Sequence, residues 1–419
     1  MAVPSVPRLL AARLPFFYGW VILACLCCVG FSRQGPAVAT LSIFVEPLTG
    51  EFGWSRTALS GAVSLGGVLA AISSPLIGPV LDRHGSRFIL CLVVALNGIL
   101  LLLLSQTSSL LMFYLLFCVA RMNWAGPFDL GIYGAVSNWF VARRAFATSV
   151  ATLAQLAGLV AMPLIAQFAI LHDGWRAGWL AIGGLTLLIG FVPCWLLMVR
   201  RPEDLGLVPD RAAAPAAGDG TLPSLAPEPS YSRREAIRTP AFWLLLLYTA
   251  LVYPVQAGVS LHQAPHLIER GIDPTIAATI VSMFSLMSAL ASIVCGLLPR
   301  RLPIRYPLAA IGAMLAVGTA IMLAINSPAE AFLAAALFGF GVGGILTLLP
   351  LAWADYFGRA HFGSIRSIAL SAQVLSQATG PLLSGALRDW TGNYVLALEC
   401  FTVLACLGVV AALTARRPG

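Results

Sequence analysis

Residues 78–90 read GPVLDRHGSRFIL, a charged stretch lying between two apolar runs at 57–80 and 88–105. Each run is about 20 residues long, which as a helix crosses the roughly 30 Å of a bilayer core. Asp82, Arg83 and Arg87 are costly to place in hydrocarbon. The stretch therefore reads as the loop of a helical hairpin, held at a membrane surface.

The same pattern recurs outward from it. Apolar runs fall at 17–45, 57–80, 88–105, 110–135, 146–170, 176–199, 241–265, 275–298, 307–325, 330–353, 363–387 and 393–414. The 419 residues are 59% hydrophobic and 10% charged, against about 25% charged in a soluble domain. The expected fold is an all-α membrane protein with twelve transmembrane helices in two pseudo-symmetric six-helix bundles. One connection is long. Arg200–Arg238 contains RAAAPAAGDGTLPSLAPEPS, a composition that reads as a flexible linker. The chain divides into a bundle over 1–199, a cytoplasmic linker over 200–238 and a bundle over 239–419. A shift of 218 residues places Gly78 on Gly296, Arg83 on Arg301, Arg87 on Arg305, Gln155 on Gln373 and Pro163 on Pro381. Internal repeats of this kind mark transporter folds.

Composition also excludes. All 25 basic residues are arginine, so no P-loop lysine and no Schiff-base lysine exists. The nine cysteines lie mostly in apolar runs and read as small hydrophobes, not as a metal or disulfide framework. No clustered nucleophile and base is visible, so an enzyme is not expected, and neither is a cofactor or a metal site. The net charge of +8 does not imply a nucleic-acid partner, because the arginines flank the spans and set orientation. With the N-terminus inside, 19 arginines fall in inner segments, 4 outside and 2 within spans. The positive-inside rule then places both termini and the linker in the cytoplasm. The first apolar run is expected to be an uncleaved span, since it extends well past the length of a signal-peptide core.

The loop quoted first resembles the motif of the major facilitator superfamily between its second and third helices. Gly78, Asp82, Arg83, Gly85, Arg87 and Leu90 fit it; Val80 and Ser86 depart from it conservatively. In that family the motif is a gate element that favours the outward-facing state. In its second-half copy, Arg300 takes the Asp position and Pro303 the Gly position. FYGWVIL, EFGWSRTALSGA, NWFVARRAFA, DGWRAGW, RRPEDLGLVPD and TPAFWLL resemble the bacterial monocarboxylate-porter and oxalate/formate-exchanger-like branch. That likeness covers most of the N-terminal half and thins in the C-terminal half. Some porters of the branch use a charged residue in span eight, where this chain has none, and span eleven shows no internal basic residue.

Two charges stand where a membrane disfavours them. Arg33 falls near the middle of span one and Arg121 near the middle of span four. An arginine at the bilayer centre costs about 2.5–3.5 kcal/mol by insertion scales, so it normally faces a polar interior. Together with the neighbouring Gln34, they predict a positive cavity for an anion with a planar group suited to guanidinium forks. Arg121 alternatively braces the bundle through backbone carbonyls or Asp129. Asp129 is a candidate proton carrier, or a partner of Arg33. Gln155, Tyr253, Gln256, Gln373 and Gln377 either orient a substrate or bind helices together. His262 and His266, at i and i+4, read as interfacial packing or as titrating groups in proton linkage.

These readings add up to a monomeric secondary transporter in a bacterial inner membrane. Its substrate is expected to be a small organic anion, a carboxylate, moved by alternating access with a coupling proton or a counter-anion. The alternatives are an efflux carrier for drug-like amphiphiles and a receptor on the same fold that has lost transport. The efflux reading predicts a membrane-embedded acid in the early spans, where this chain carries Arg33.

Overall fold

The computed structural model describes residues 5–210, 230–298 and 302–418. Arg300, Arg301 and linker residues 211–229 lie outside the described residues. The helices are α1 (Ser5–Arg13), α2 (Gly19–Ser32), α3 (Val38–Phe52), α4 (Arg56–His84), α5 (Ser86–Leu104), α6 (Leu110–Ala125), α7 (Pro127–Trp139) and α8 (Arg144–Leu185). They continue with α9 (Val192–Leu197), α10 (Arg233–Ile237), α11 (Pro240–Glu269), α12 (Pro274–Leu297), α13 (Arg305–Leu323), α14 (Pro328–Phe357), α15 (Phe362–Thr391) and α16 (Val395–Thr414).

Among the described residues, nine helical segments are long and apolar enough to cross a membrane, and one of them, Arg144–Leu197, runs for 54 residues. That segment turns at Gly174, whose φ of 80° breaks the helix in two, so it supplies spans five and six. Span one is the pair α2 and α3, each too short alone. Span eleven is α15, whose many Ser, Gln and charged residues lower its hydropathy. The apolar runs thus become twelve spans. Span one is not the continuous helix expected over 17–45. Gly35-Pro36 interrupts it, because Pro36 lacks the N–H that would continue the ladder and disfavours helical backbone at Gly35.

The chain forms two compact units. The first holds Met1–Ser230 together with Phe357–Ser371, so the first turns of α15 belong to it. Its core includes a stack of Phe44 on Trp179 with centroids 3.8 Å apart. At the end of α3, Glu51 accepts hydrogen bonds from Trp175 Nε1 at 2.5 Å and Arg176 Nη2 at 2.8 Å. Those contacts tie the end of α3 to the Gly174 turn. The first part of the predicted linker packs on this unit. The Asp210 carboxylate accepts from the Ala142 and Arg143 backbone N–H groups at 3.1 and 2.7 Å.

The second unit holds Tyr231–Tyr356 and Ala372–Gly419. Its entry helix α10 is closed by a capping box, with Ser232 and Glu235 each accepting from the other's backbone N–H. In this unit α16 packs closely against α13 and α11. His266 Nε2 donates to the Met322 carbonyl at 2.8 Å, and His262 Nδ1 meets the Tyr394 hydroxyl at 3.2 Å. Among the described residues, no group of His, Cys, Asp and Glu is arranged to hold a metal ion.

Candidate functional site

The gate motif forms a latch within the first unit. α4 ends at Gly85, whose φ of 85° is a conformation that suits glycine. Asp82, three residues earlier, accepts hydrogen bonds from the Gly363 and Ser364 N–H groups, both at 2.8 Å, and from the Ser364 hydroxyl at 2.5 Å. A carboxylate at the first turn of α15 meets unpaired N–H groups and the positive end of the helix dipole. Gly78 makes the approach possible, because a side chain there would collide with the Gly363 carbonyl and Ser367. Arg87 Nη2 donates to the Trp195 carbonyl at 3.1 Å, and Arg83 is exposed. Gly78→Val is expected to overpack this contact by about 1–3 kcal/mol, lowering the melting temperature of the detergent-purified protein by a few degrees. Gly50→Val, at a position with nothing within 4 Å, is expected to leave it unchanged.

A second cluster forms where two spans of this unit break. α2 stops at Ser32, and Arg33 is its C-cap, where a cation meets the negative end of a helix dipole. Span four breaks at Gly126-Pro127, and Asp129 lies in the first turn of α7, where an anion is favoured for the complementary reason. The two breaks bring these opposite charges together. Arg33 Nη1 stands 3.9 Å from Asp129 Oδ2 and donates to Gln155 Oε1 at 2.6 Å. Gln155 Nε2 in turn donates to the Tyr133 hydroxyl at 3.1 Å, which meets Thr152 Oγ1 at 3.1 Å. Trp124 sits between two guanidiniums, with Arg121 Cζ 3.9 Å and Arg33 Cζ 5.0 Å from its ring centroid. Its indole N–H donates to Gln34 Oε1 at 2.9 Å. Arg121 Nη1 reaches the Pro36 carbonyl at 3.4 Å, an acceptor in the break of span one.

The remaining member comes from α15. Arg366 is 1% exposed, and its Nη2 lies 3.3 Å from Asp129 Oδ1. This corrects the expectation that span eleven has no internal basic residue. Arg144 is also buried, donating to the Phe140 and Ser137 carbonyls. Burial in the fold thus extends to Arg144 and Arg366, beyond the two arginines expected within spans. Of the candidate residues, the structure gathers Arg33, Gln34, Arg121, Asp129 and Gln155, and adds Trp124, Tyr133, Thr152 and Arg366. The other substrate-binding candidates belong to the second unit. There Gln377 Nε2 donates to Gln256 Oε1 at 3.1 Å, and Tyr253 and Gln373 are buried.

Chemically, two guanidiniums (Arg33 and Arg366) share one carboxylate, Asp129, and a third, Arg121, stacks on Trp124 beside them. That arrangement attracts an anion, and the aromatic ring fixes two of the forks by cation–π contact. It contains no nucleophile paired with a base.

Comparison with known proteins agrees with the fold. The sequence model of the Major Facilitator Superfamily matches residues 21–381, and again 261–418. The chain belongs to the Major Facilitator Superfamily. It is a multi-pass membrane transport protein of that superfamily and not an enzyme. Monocarboxylate transporter 11 of Mus musculus is 26% identical over 393 residues, covering 90% of this chain and 83% of its own length. The membrane sensor protein UhpC of Escherichia coli is 28% identical over 246 residues, 55% of this chain and 54% of its own. Among solved structures, the superfamily transporter FucP in the outward conformation matches with a TM-score of 0.72 at 12% identity, over 96% of this chain and 100% of that one. A bacterial homologue of the iron transporter ferroportin matches with a TM-score of 0.72 at 17% identity, over 96% and 99%. At such identities the structures speak for the fold alone.

Proposed function

We propose that this superfamily transporter carries a small organic anion, a carboxylate, by alternating access. The observation that carries the reading is the excess of buried guanidinium over carboxylate around Trp124. A substrate carboxylate fits a guanidinium fork by two parallel hydrogen bonds. It would take the place at Arg33 that Gln155 and Asp129 share. Arg121, held face-on by Trp124 and bonded to a single backbone carbonyl, is the second anchor. The likeness to monocarboxylate transporters along 90% of the chain supports the substrate class. The excess of arginine in alternate loops supports an orientation with both termini cytoplasmic.

Asp129 supplies the coupling in this reading. Protonating it removes the negative charge that Arg33 and Arg366 share, so proton and substrate binding favour each other. Anion exchange needs no such step and uses the same arginines. A second reading, a sensor that binds its ligand on this fold without moving it, is favoured by the match to UhpC.

Uptake of labelled short-chain carboxylates into proteoliposomes tests the proposal, with wild type beside Arg121→Ala. Wild type is expected to accumulate label, and Arg121→Ala to lose about tenfold or more, the effect of one charge-assisted hydrogen bond. Equal uptake by both would remove Arg121 from the site. Binding by wild type without uptake would favour the sensor.

A further inference from the structure

A second concentration of arginine in the first unit has no part in the central cluster. Beside the Asp82 latch, a narrow cleft that opens to solvent is lined by Asp82, Ser86, Asn138, Arg200, Arg201 and Arg359 among others. Asp82 is already committed, since its oxygens accept from Gly363 and Ser364. Arg359 donates to the Asn138 carbonyl at 3.0 Å and pairs with Glu203 at 2.8 Å. Arg200 Nη2 donates to the Asp82 carbonyl at 3.1 Å, and its Nε is buried without a partner. The Asp204 carboxylate accepts from the Arg201 backbone N–H at 3.3 Å. Among the described residues, no carboxylate stands within salt-bridge distance of the Arg200 or Arg201 side chain.

Ser86 supplies an independent pointer to a ligand. It is the first residue of the 19-residue α5 and is 1% exposed. Ser86 lines the cleft, and its buried hydroxyl has no hydrogen-bond partner. Leaving a buried hydroxyl unpaired costs about 1–3 kcal/mol, a cost a ligand oxygen would relieve. The start of α5 beside it carries the unpaired N–H groups and positive dipole end that suit an anion.

We propose that this cleft binds a phosphate group, held by Arg200, Arg201 and Arg359, by the Ser86 hydroxyl and by the start of α5. Phosphate matches the donors because it offers several oxygens to forks arriving from different directions. The anion would bridge both sides of the latch. Arg200 holds the Asp82 carbonyl, and Arg359 lies three residues before α15. Occupancy therefore stabilises the contact between Asp82 and the start of α15. The group comes either from an anionic lipid headgroup or from a free phosphate, and the two are separable.

The test uses the full-length protein in detergent, with melting temperature read against titrated inorganic phosphate at constant ionic strength. A parallel arm adds phosphatidylglycerol, with phosphatidylcholine as the control lipid. A saturable rise in melting temperature is expected in at least one arm, and the arm that responds identifies the source. Arg200→Gln combined with Arg201→Gln is expected to weaken the apparent affinity by about tenfold or more. Ser86→Ala, which removes a hydroxyl already unpaired, is expected to fold normally and weaken it several-fold, so the test survives if the double variant is unstable. No response above chloride and phosphatidylcholine in wild type would overturn the proposal. So would responses of equal midpoint in wild type and Ser86→Ala.

Discussion

Replacing Arg33 by glutamine is expected to cut carboxylate uptake in proteoliposomes by about 10- to 150-fold, the equivalent of one charge-assisted hydrogen bond of about 1.5–3 kcal/mol. Arg33 touches Gln155, Asp129 and the face of Trp124. Its removal does not orphan Asp129, which keeps Arg366 at 3.3 Å. The stability loss should therefore stay below the about 3–5 kcal/mol that a fully unpaired buried charge costs. That difference makes the result interpretable. Lost uptake with a nearly unchanged melting temperature marks a binding residue. Arg33→Lys sharpens the point, since one ammonium keeps the charge but cannot present a planar fork; it is expected to fall between wild type and Arg33→Gln. Full uptake by Arg33→Gln would refute the assignment.

How much of this was legible in the sequence depends on how local each feature is. The spans are legible because each is one apolar run, and Asp82 because its loop has a recognisable residue pattern. The break at Gly126-Pro127 is visible as a bend. Gly35-Pro36 carries the same signal inside span one, yet the apolar residues on both sides make that span look continuous. Its consequence is large, because the break presents Arg33 and Gln34 together and frees the Pro36 carbonyl for Arg121.

Arg366 was not legible. A hydropathy window assigns an arginine near the start of a polar helix to the adjacent loop, and only tertiary packing places it 1% exposed against Asp129. Arg144 was missed for the same reason, and positive-inside counting treats both as loop charges. Trp124 reads as ordinary apolar filler beside Arg121 until the fold stacks guanidiniums on it. Tyr133 lies one turn after Asp129 and Thr152 three residues before Gln155. That helical spacing was available as a signal, although nothing in it distinguishes a site from helix–helix contact.

Asp129→Asn is expected to tighten anion binding while uncoupling it from the proton. The carboxylate lies 3.9 Å from Arg33 and 3.3 Å from Arg366. A unit charge several Å from the bound anion, at an effective dielectric near 20, repels it by about 1–3 kcal/mol. Neutralising it should therefore strengthen carboxylate binding by roughly 5- to 150-fold. The ligand-free variant pays for this in stability, because buried guanidiniums lose their partner. Added carboxylate restores that partner, so the substrate-induced rise in melting temperature should exceed that of wild type. Transport should respond in the opposite sense. In wild type, linkage requires that whatever protonates Asp129 also favours the anion, so an inward proton gradient should stimulate uptake. The asparagine has no proton to exchange, so uptake should lose that stimulation while binding persists. Weaker binding in Asp129→Asn would defeat the electrostatic account of the cluster. Retained stimulation by the gradient would place the coupling group elsewhere and leave Asp129 as the carboxylate that anchors Arg33 and Arg366.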